Sequence, residues 1–369
     1  MSTLRVEALE QPDGTAFVFN NKNLLINGGM NVWQRSTSIS ITSTNYHSVD
    51  RWFTYLNSMG TWTQSRSTDV PSAQGFGYSL KMDCTTADAS PAAGDYVMFQ
   101  QRIEGQNLQH LLKGTSSAKK VTLSFWVKSN KTGTYICELR DQSNSRRISK
   151  SYTIDSASTW EKKTITFEGD TTGAFANNNS EALRVNWWLG AGSNFTSAGS
   201  LQTTWDAQDT NTDRVVGGVN LADSTSNEWY ITGCQLEVGS TASGFEFEPY
   251  EATLRKCHRY FNNVGNITIT TAASLDLDGG LGTNMGYIQI PFPTEMRVNP
   301  SISIGSQTLY RWTGGTGNQY QAQTSSLLGN GGYTINNKQC AIRFGSYANR
   351  SQGISYKCQA TDITLASEL

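Results

Sequence analysis

The sequence predicts an all-β fold: an antiparallel β-sandwich followed by a smaller C-terminal β-sandwich domain, with one short linker helix between them. Three observations carry this. Apolar and polar residues alternate along several short runs, turn-forming clusters separate the runs, and helical spacing occurs over one segment. Val121, Leu123, Phe125 and Val127 alternate with Thr122, Ser124 and Trp126. Leu183, Val185, Trp187 and Leu189 alternate with Arg184, Asn186 and Trp188, and Tyr78/Leu80/Met82 and Ile165/Phe167 repeat the pattern. A period of two is what a half-buried strand requires, because successive side chains face opposite sides of a sheet. Stretches such as Ser129–Gly133 and Gly169–Gly173 supply the turns, and many short strands so punctuated indicate a sandwich or barrel.

Residues 23–252 therefore read as the sandwich. Within it, the region Gly190–Glu228 is rich in Gly, Ser, Thr and Asp and reads as a long surface excursion. The helical segment follows, because Leu254, Cys257 and Phe261 fall at i, i+3 and i+7, which predicts a linker helix over 253–262. Residues 263–369 form the second β unit, with strands expected at Ile267–Thr270, Tyr287–Ile290 and Ala341–Phe344 and a final strand from Ile363. Residues 1–22 carry only Leu4, Val6, Leu9, Phe17 and Phe19 as dispersed anchors around Pro12-Asp13-Gly14. That is too little to bury a core of its own, so an arm that packs on something else is expected, with a disordered tail as the alternative.

Composition narrows the function. Charged residues make up 16% of the 369, well below the roughly one quarter of an average soluble chain. Polarity comes instead from Ser, Thr, Asn, Gln and 34 Gly, a neutral surface. The formal net charge of −1 and the lack of a Lys/Arg cluster argue against nucleic acid, which needs a basic footprint. No run approaches the 18 or so apolar residues of a membrane span, so no membrane insertion is expected. Residues 1–22 lack the apolar run of a secretion signal, so the six scattered cysteines are expected as buried thiols rather than disulfides.

Chemistry is sparse. The three histidines (His47, His110, His258) sit apart, and no HExxH, GxSxG, P-loop or GxGxxG pattern accompanies them. Glu237, Glu246 and Glu248, and Asp276 with Asp278, are the carboxylates close enough in sequence to be weighed as a glycosidase pair. No 20–30-residue repeat suggests the long β-helix of a depolymerase. No enzymatic role and no cofactor are expected. The remaining lead is aromatic: sugars stack on rings while amides and carboxylates supply hydrogen bonds. Trp33, Trp52, Trp126 and Trp229 lie inside strand motifs and are expected to pack in the core or between subunits. Trp205, in the polar excursion, and Tyr310, Trp312, Asn318, Gln319 and Tyr320, around a Gly-rich loop, are the candidate receptor contacts. Packing at a seam between subunits, or over the loop's own base, is the equally weighted alternative for these aromatics.

Two motifs add a resemblance. Asn23–Arg35 with Asp50-Arg51-Trp52, and Trp229–Gly239 with Phe245–Tyr250, look like the first and last strands of one large sandwich. They resemble the jelly-roll module of bacteriophage tail-fibre and virion-appendage proteins, itself similar to carbohydrate-binding modules. Cys257–Tyr260 and Ile290–Pro300 are similar to elements that follow the jelly roll in such proteins. The resemblance implies a virion structural protein, most simply a tail fibre, that docks through its N-terminal arm (Leu4, Val6, Leu9, Phe17, Phe19) to a phage tail, adaptor or portal protein. It implies a homotrimer whose C-terminal domain meets a host surface glycan. A purely architectural capsid or tail decoration is the alternative, and a polysaccharide depolymerase a more distant one. Related modules often hold a structural calcium near the first strand, but Gly29 stands where an acid is usual, and no metal is assigned.

Overall fold

The computed structural model describes residues 22–271, 286–312, 320–323, 333–344 and 356–369. The chain divides into two compact units between Thr253 and Leu254. In the first, two antiparallel six-stranded sheets face each other. Sheet A runs β1 (Ser38–Ile41), β3 (Thr61–Ser67), β4 (Ser79–Thr86), β12 (Glu228–Val238), β6 (Val121–Ser129), β9 (Glu161–Phe167). Sheet B runs β11 (Asp206–Ala207), β8 (Arg146–Ile154), β7 (Gly133–Asp141), β10 (Glu181–Ala191), β5 (Tyr96–Glu104), β2 (Trp52–Asn57).

The alternation seen in the sequence sorts these strands. Val121, Leu123, Phe125 and Val127 point between the sheets, as do Leu183, Val185, Trp187 and Leu189, and all are buried. The aromatic residues set the thickness of the layer. Trp52 stacks on Phe99 at 4.9 Å between centroids, and Phe125 meets Trp187 edge-on at 5.6 Å. Each such side chain, fully buried, contributes on the order of 1.5–3 kcal/mol. Cys84, Cys137, Cys234 and Cys340 are buried thiols outside any disulfide, as expected, and burial pushes Cys84 and Cys340 up to about 11.

Only one of the two motifs is the strand expected: Trp229–Val238 lies in β12, the last strand of the sandwich along the chain and central in its sheet between β4 and β6, whereas Asn23–Arg35 is irregular. The cause is local: Asn27 and Met30 adopt positive φ (59° and 55°), which breaks an extended chain. The segment instead straps the sandwich. Leu24 N donates to Leu236 O (2.8 Å) and Cys234 N to Gly28 O (3.0 Å) on β12. Its other side reaches sheet B, where the Gln101 side chain pairs with both backbone groups of Ile26 (2.7 and 2.8 Å). Gly28 is required by contact, because a Cβ there would sit 2.0 Å from Cys234 O. Phe245–Pro249 is likewise irregular rather than strand.

The region Gly190–Glu228 is only partly a surface excursion. After α1 (Ser193–Thr196), Phe195, Leu201 and Val215 fold back over the outer face of sheet B and cover Met98, Ile136 and Trp188. Leu221 and Ala222 join the main core. Arg214 fastens this flap: both its Nε and Nη2 donate to Glu138 at 2.9 Å, and its guanidinium lies 4.7 Å from the Trp188 ring centre. Apolar residues this widely spaced show no periodicity, so composition alone read the segment as exposed.

The helix, α2, spans Tyr250–His258, earlier than 253–262, and Phe261 opens a strand instead. In the second unit, β13 (Phe261–Thr271), β20 (Tyr356–Ala366), β16 (Ser306–Trp312) and β17 (Tyr320–Gln323) form one sheet, with β15 (Ser301–Ser303) also paired to β20. The other holds β14 (Gly286–Pro291), β19 (Gln339–Phe344) and β18 (Tyr333–Ile335). Ile290, Met296, Cys340, Ile363 and Leu365 share its core. All four strands expected here are present.

Two measurements test these constraints. Gly28→Ala forces the strap off β12 and is expected to cost about 1–3 kcal/mol, read as a lowered urea midpoint by Trp fluorescence. Arg214→Ala strands a buried carboxylate and is expected to cost about 3–5 kcal/mol at neutral pH. Burial pushes Glu138 upward, but the charge of Arg214 and its hydrogen bonds outweigh it and hold the carboxyl below its ordinary 4.5. In the native chain this stability is present above the unfolded value and is lost as pH falls through the lower folded one. In the variant burial wins and the sign inverts, so the gap between the two proteins narrows from pH 7 to about pH 4. A gap independent of pH would show that the pair is not what holds the flap.

Candidate functional site

The outer faces of the two sheets differ. On sheet B the flap roofs the Met98–Trp188–Ile136 end. Beside it, Gln100, Asn186, Glu138 and Ser149 are side by side across β5, β10, β7 and β8, and all four are buried. Next to this line runs a basic row of Arg102, Arg184, Arg140 and Arg147 in register on the same four strands; the first three are half-buried and Arg147 is buried.

On sheet A, residues 239–247 cover the end with Thr122, Ser124, Gln235 and Glu237, which are buried, and leave the end with Trp126 accessible. The residues of β6 that alternate away from the core are Thr122, Ser124, Trp126 and Lys128, and register places Thr232 beside Trp126 and Tyr230 beside Lys128. Trp160, just before β9, completes the row: its ring lies 6.2 Å from that of Tyr230, edge-on. The Lys128 ammonium sits 4.3 Å from the Tyr230 ring centre and 5.6 Å from that of Trp160. Such cation–π contacts hold rings in place while leaving a face exposed. Asp69 accepts from both Lys128 and the Trp160 indole (2.8 Å). On the far side, Lys81 meets Glu228 at 2.8 Å, and the Tyr230 hydroxyl donates to the same carboxylate at 3.0 Å. Tyr78 is half-buried, with the Arg66 guanidinium 4.5 Å from its ring centre.

Electrostatics follow from these contacts. Burial pushes Asp69 upward, yet the hydrogen bonds from Lys128 and Trp160 outweigh it and the carboxyl lies below its usual range. Burial, joined by the Glu228 carboxylate and opposed by Lys81, pushes Tyr230 up to about 12. The face therefore presents aromatic rings framed by the side chains of Lys81, Lys128, Asp69 and Glu228. It can stack against a ring with an apolar face and hydrogen-bond to hydroxyls at the rim.

The sequence-predicted residues distribute differently. Trp126 is not core but half-buried on this outer face, while Trp52 and Trp229 are buried and Trp33 packs partly against the core. Trp205 packs against the core edge, its indole donating to Glu168 O at 2.7 Å and its ring 5.6 Å from the Lys113 ammonium. The register pairs Trp312 with Tyr320 and Tyr310 with Ala322. Asn318 and Gln319 lie outside the described residues, as do Leu4, Val6, Leu9, Phe17, Phe19, Asp276 and Asp278. Tyr78, Trp160, Tyr230 and Asp69 were not site candidates in the sequence because only the folding of the loops beside β4 and β9 onto sheet A brings them together.

The remaining carboxylates are structural. Glu237 accepts from Gln235 (2.9 Å) and from both the amide and hydroxyl of Ser243 (2.8 and 2.6 Å), and Glu246 accepts from Asn23 N at 3.0 Å. The calcium that related modules hold near the first strand does not fit here. Gly29 brings no carboxylate, the Asn27 side-chain oxygen is taken by Asn31 N and Val32 N, and Glu246 is turned to a backbone amide. Among the described residues no three His, Cys, Asp or Glu side chains are grouped to hold a metal ion.

No family model matches the chain, and no curated protein matches it. Among solved structures it is similar to the enzymatically active domain of bacteriophage CBA120 tailspike protein 4, at 15% identity and TM-score 0.30, over 59% of this chain and 22% of that one. It is also similar to the C-terminal family 22 carbohydrate-binding module of Clostridium thermocellum Xyn10B, at 11% identity and TM-score 0.30, over 61% of this chain and 99% of that one. The module TmCBM61 in complex with β-1,4-galactotriose is similar at 9% identity and TM-score 0.28, over 59% of this chain and 100% of that one.

Proposed function

We propose that this chain is a glycan-binding structural protein of a bacteriophage particle, in the manner of a tail fibre, and that it binds rather than cuts its glycan. The observation that carries the binding reading is one end of the outer face of sheet A, where the half-buried rings of Trp126, Trp160 and Tyr78 lie with the buried Tyr230 among Asp69, Glu228, Lys81 and Lys128. Rings supply the stacking platform, and the paired charges fix the rings and offer donors and acceptors at the rim. Binding without cleavage is supported by Glu237 and Glu246 being committed to structural hydrogen bonds.

The virion setting rests on the order of motifs along the chain, from the Asn23–Arg35 segment to Ile290–Pro300. With it come a homotrimer and an N-terminal arm that docks to another virion protein.

A glycan array probed with the protein is expected to return host-surface oligosaccharides. The double variant Trp126→Ala, Trp160→Ala should bind about tenfold more weakly, at about 0.5–1.5 kcal/mol per ring, with its urea midpoint little changed. Undiminished binding by that variant removes sheet A from consideration. Light scattering on the full chain is expected to give the mass of a trimer, and a monomer at micromolar concentration would count against the fibre reading.

A further inference from the structure

The arginine row on sheet B has no structural use that accounts for all of it. Arg102, Arg184, Arg140 and Arg147 occupy one register line across four adjacent strands. Neighbouring strands are only about 4.8 Å apart, and like charges directly opposite each other are destabilising. Three members of the row have carboxylate partners. Glu181 takes both branches of Arg184 and stands 3.6 Å from Arg102, and Asp213 meets Arg147 at 2.6 Å. Glu138, the acid whose charge acts on the fourth, is committed to Arg214.

Arg140 is the exception. Its one hydrogen bond among the described residues runs from Nε to the neutral Gln208 side chain at 3.0 Å. Among the described residues no carboxylate lies within 4.0 Å of it, and its two terminal nitrogens have no acceptor. Burial, then the charges of Arg214, Arg184 and Arg147, hold it below the usual guanidinium range against the single opposing pull of Glu138. It remains half-exposed. Beneath the flap next to it, the Arg147 Nε and the Ser149 hydroxyl are buried with no partner. The region has more donors than acceptors and more positive charge than its acids neutralise. That is an unfavourable arrangement for an unliganded surface and a favourable one for binding an anion.

We propose that Arg140, flanked by Arg184 and Arg147, anchors a second binding site that takes an oxyanion: the carboxylate of an acidic sugar, or a phosphate. A planar fork with two free terminal nitrogens matches two oxygens of either group. The site lies on the opposite sheet from the aromatic face and does not depend on it.

Isothermal titration of the full chain with glucuronate and with inorganic phosphate, at constant ionic strength, tests this against glucose and chloride as controls. At least one oxyanion is expected to saturate and to raise the thermal midpoint, with glucose and chloride silent. Saturation by glucuronate alone assigns an acidic sugar, and saturation by phosphate alone a phosphate. Arg140→Gln should bind at least tenfold more weakly while melting no lower than the native chain, because it relieves like-charge crowding. Arg140→Lys, which keeps the charge but loses the fork, should fall between the two. Trp160→Ala should bind the oxyanion as the native chain does, so this site and the aromatic face succeed or fail separately. No saturable binding of either oxyanion, or equal binding by Arg140→Gln, overturns the proposal.

Discussion

The sandwich depends on one asparagine. The Asn27 side chain donates to the carbonyls of Val32 (3.0 Å) and Asp50 (3.1 Å), and its oxygen accepts from the amides of Asn31 (2.9 Å) and Val32 (3.1 Å). Its own carbonyl accepts from the Trp52 indole at 3.0 Å. Asp50 then receives the Gln34 amide at 2.6 Å and the Arg35 guanidinium at 3.2 Å. A short polar side chain tolerates the left-handed backbone found here and saturates a buried turn that no ladder could satisfy. With the turn fixed, Gly28 can lie against β12 while Trp52 enters the core on β2. The strap thereby ties sheet A to sheet B at the point where the chain enters the domain.

This explains why the opening motif was legible and its conformation was not. Asn27, Trp33, Gln34, Arg35, Asp50 and Trp52 mark the fold because each has a distinct partner. Those partners are side chains and loop carbonyls rather than a neighbouring strand, so the segment carries strand-like composition without strand geometry. The interior strands were readable for the opposite reason: β6, β9 and β10 each have one face against a continuous core, and burial imposes a period of two. The flap was not readable, because Phe195, Leu201 and Val215 act singly and at uneven spacing. Nor was the aromatic face: Trp126 alternates with the core residues of β6 and so takes the outer side, but only pairing of β6 with β9 brings Trp160 to that same side.

The flap also decides which face is available. Trp188 and Tyr96 on sheet B would offer rings to a ligand, but Phe195 packs 5.5 Å from the first and 5.2 Å from the second. Covering those rings converts a potential stacking surface into a second small core. Stacking chemistry is then left to sheet A, and sheet B keeps only its guanidinium groups.

Charge placement gives these contrasts a common cause. In a chain with so few ionisable residues, many of those described are spent internally. Lys113 is buried between Asp141 (2.6 Å) and Asp170 (3.0 Å), and Arg146 meets Asp170 at 2.7 Å. Arg214 closes on Glu138 and Arg147 on Asp213. Each pair joins a strand to a loop or flap that has too little apolar surface to dock by burial. Ion pairs in such positions add little net stability, because desolvation offsets attraction, but a mispaired alternative leaves a buried charge and is strongly disfavoured. They therefore act on geometry, selecting one placement for each loop. A guanidinium outside this scheme, in a cluster that its own acids do not neutralise, adds no such constraint, and its terminal N–H groups remain free for an acceptor from outside the chain.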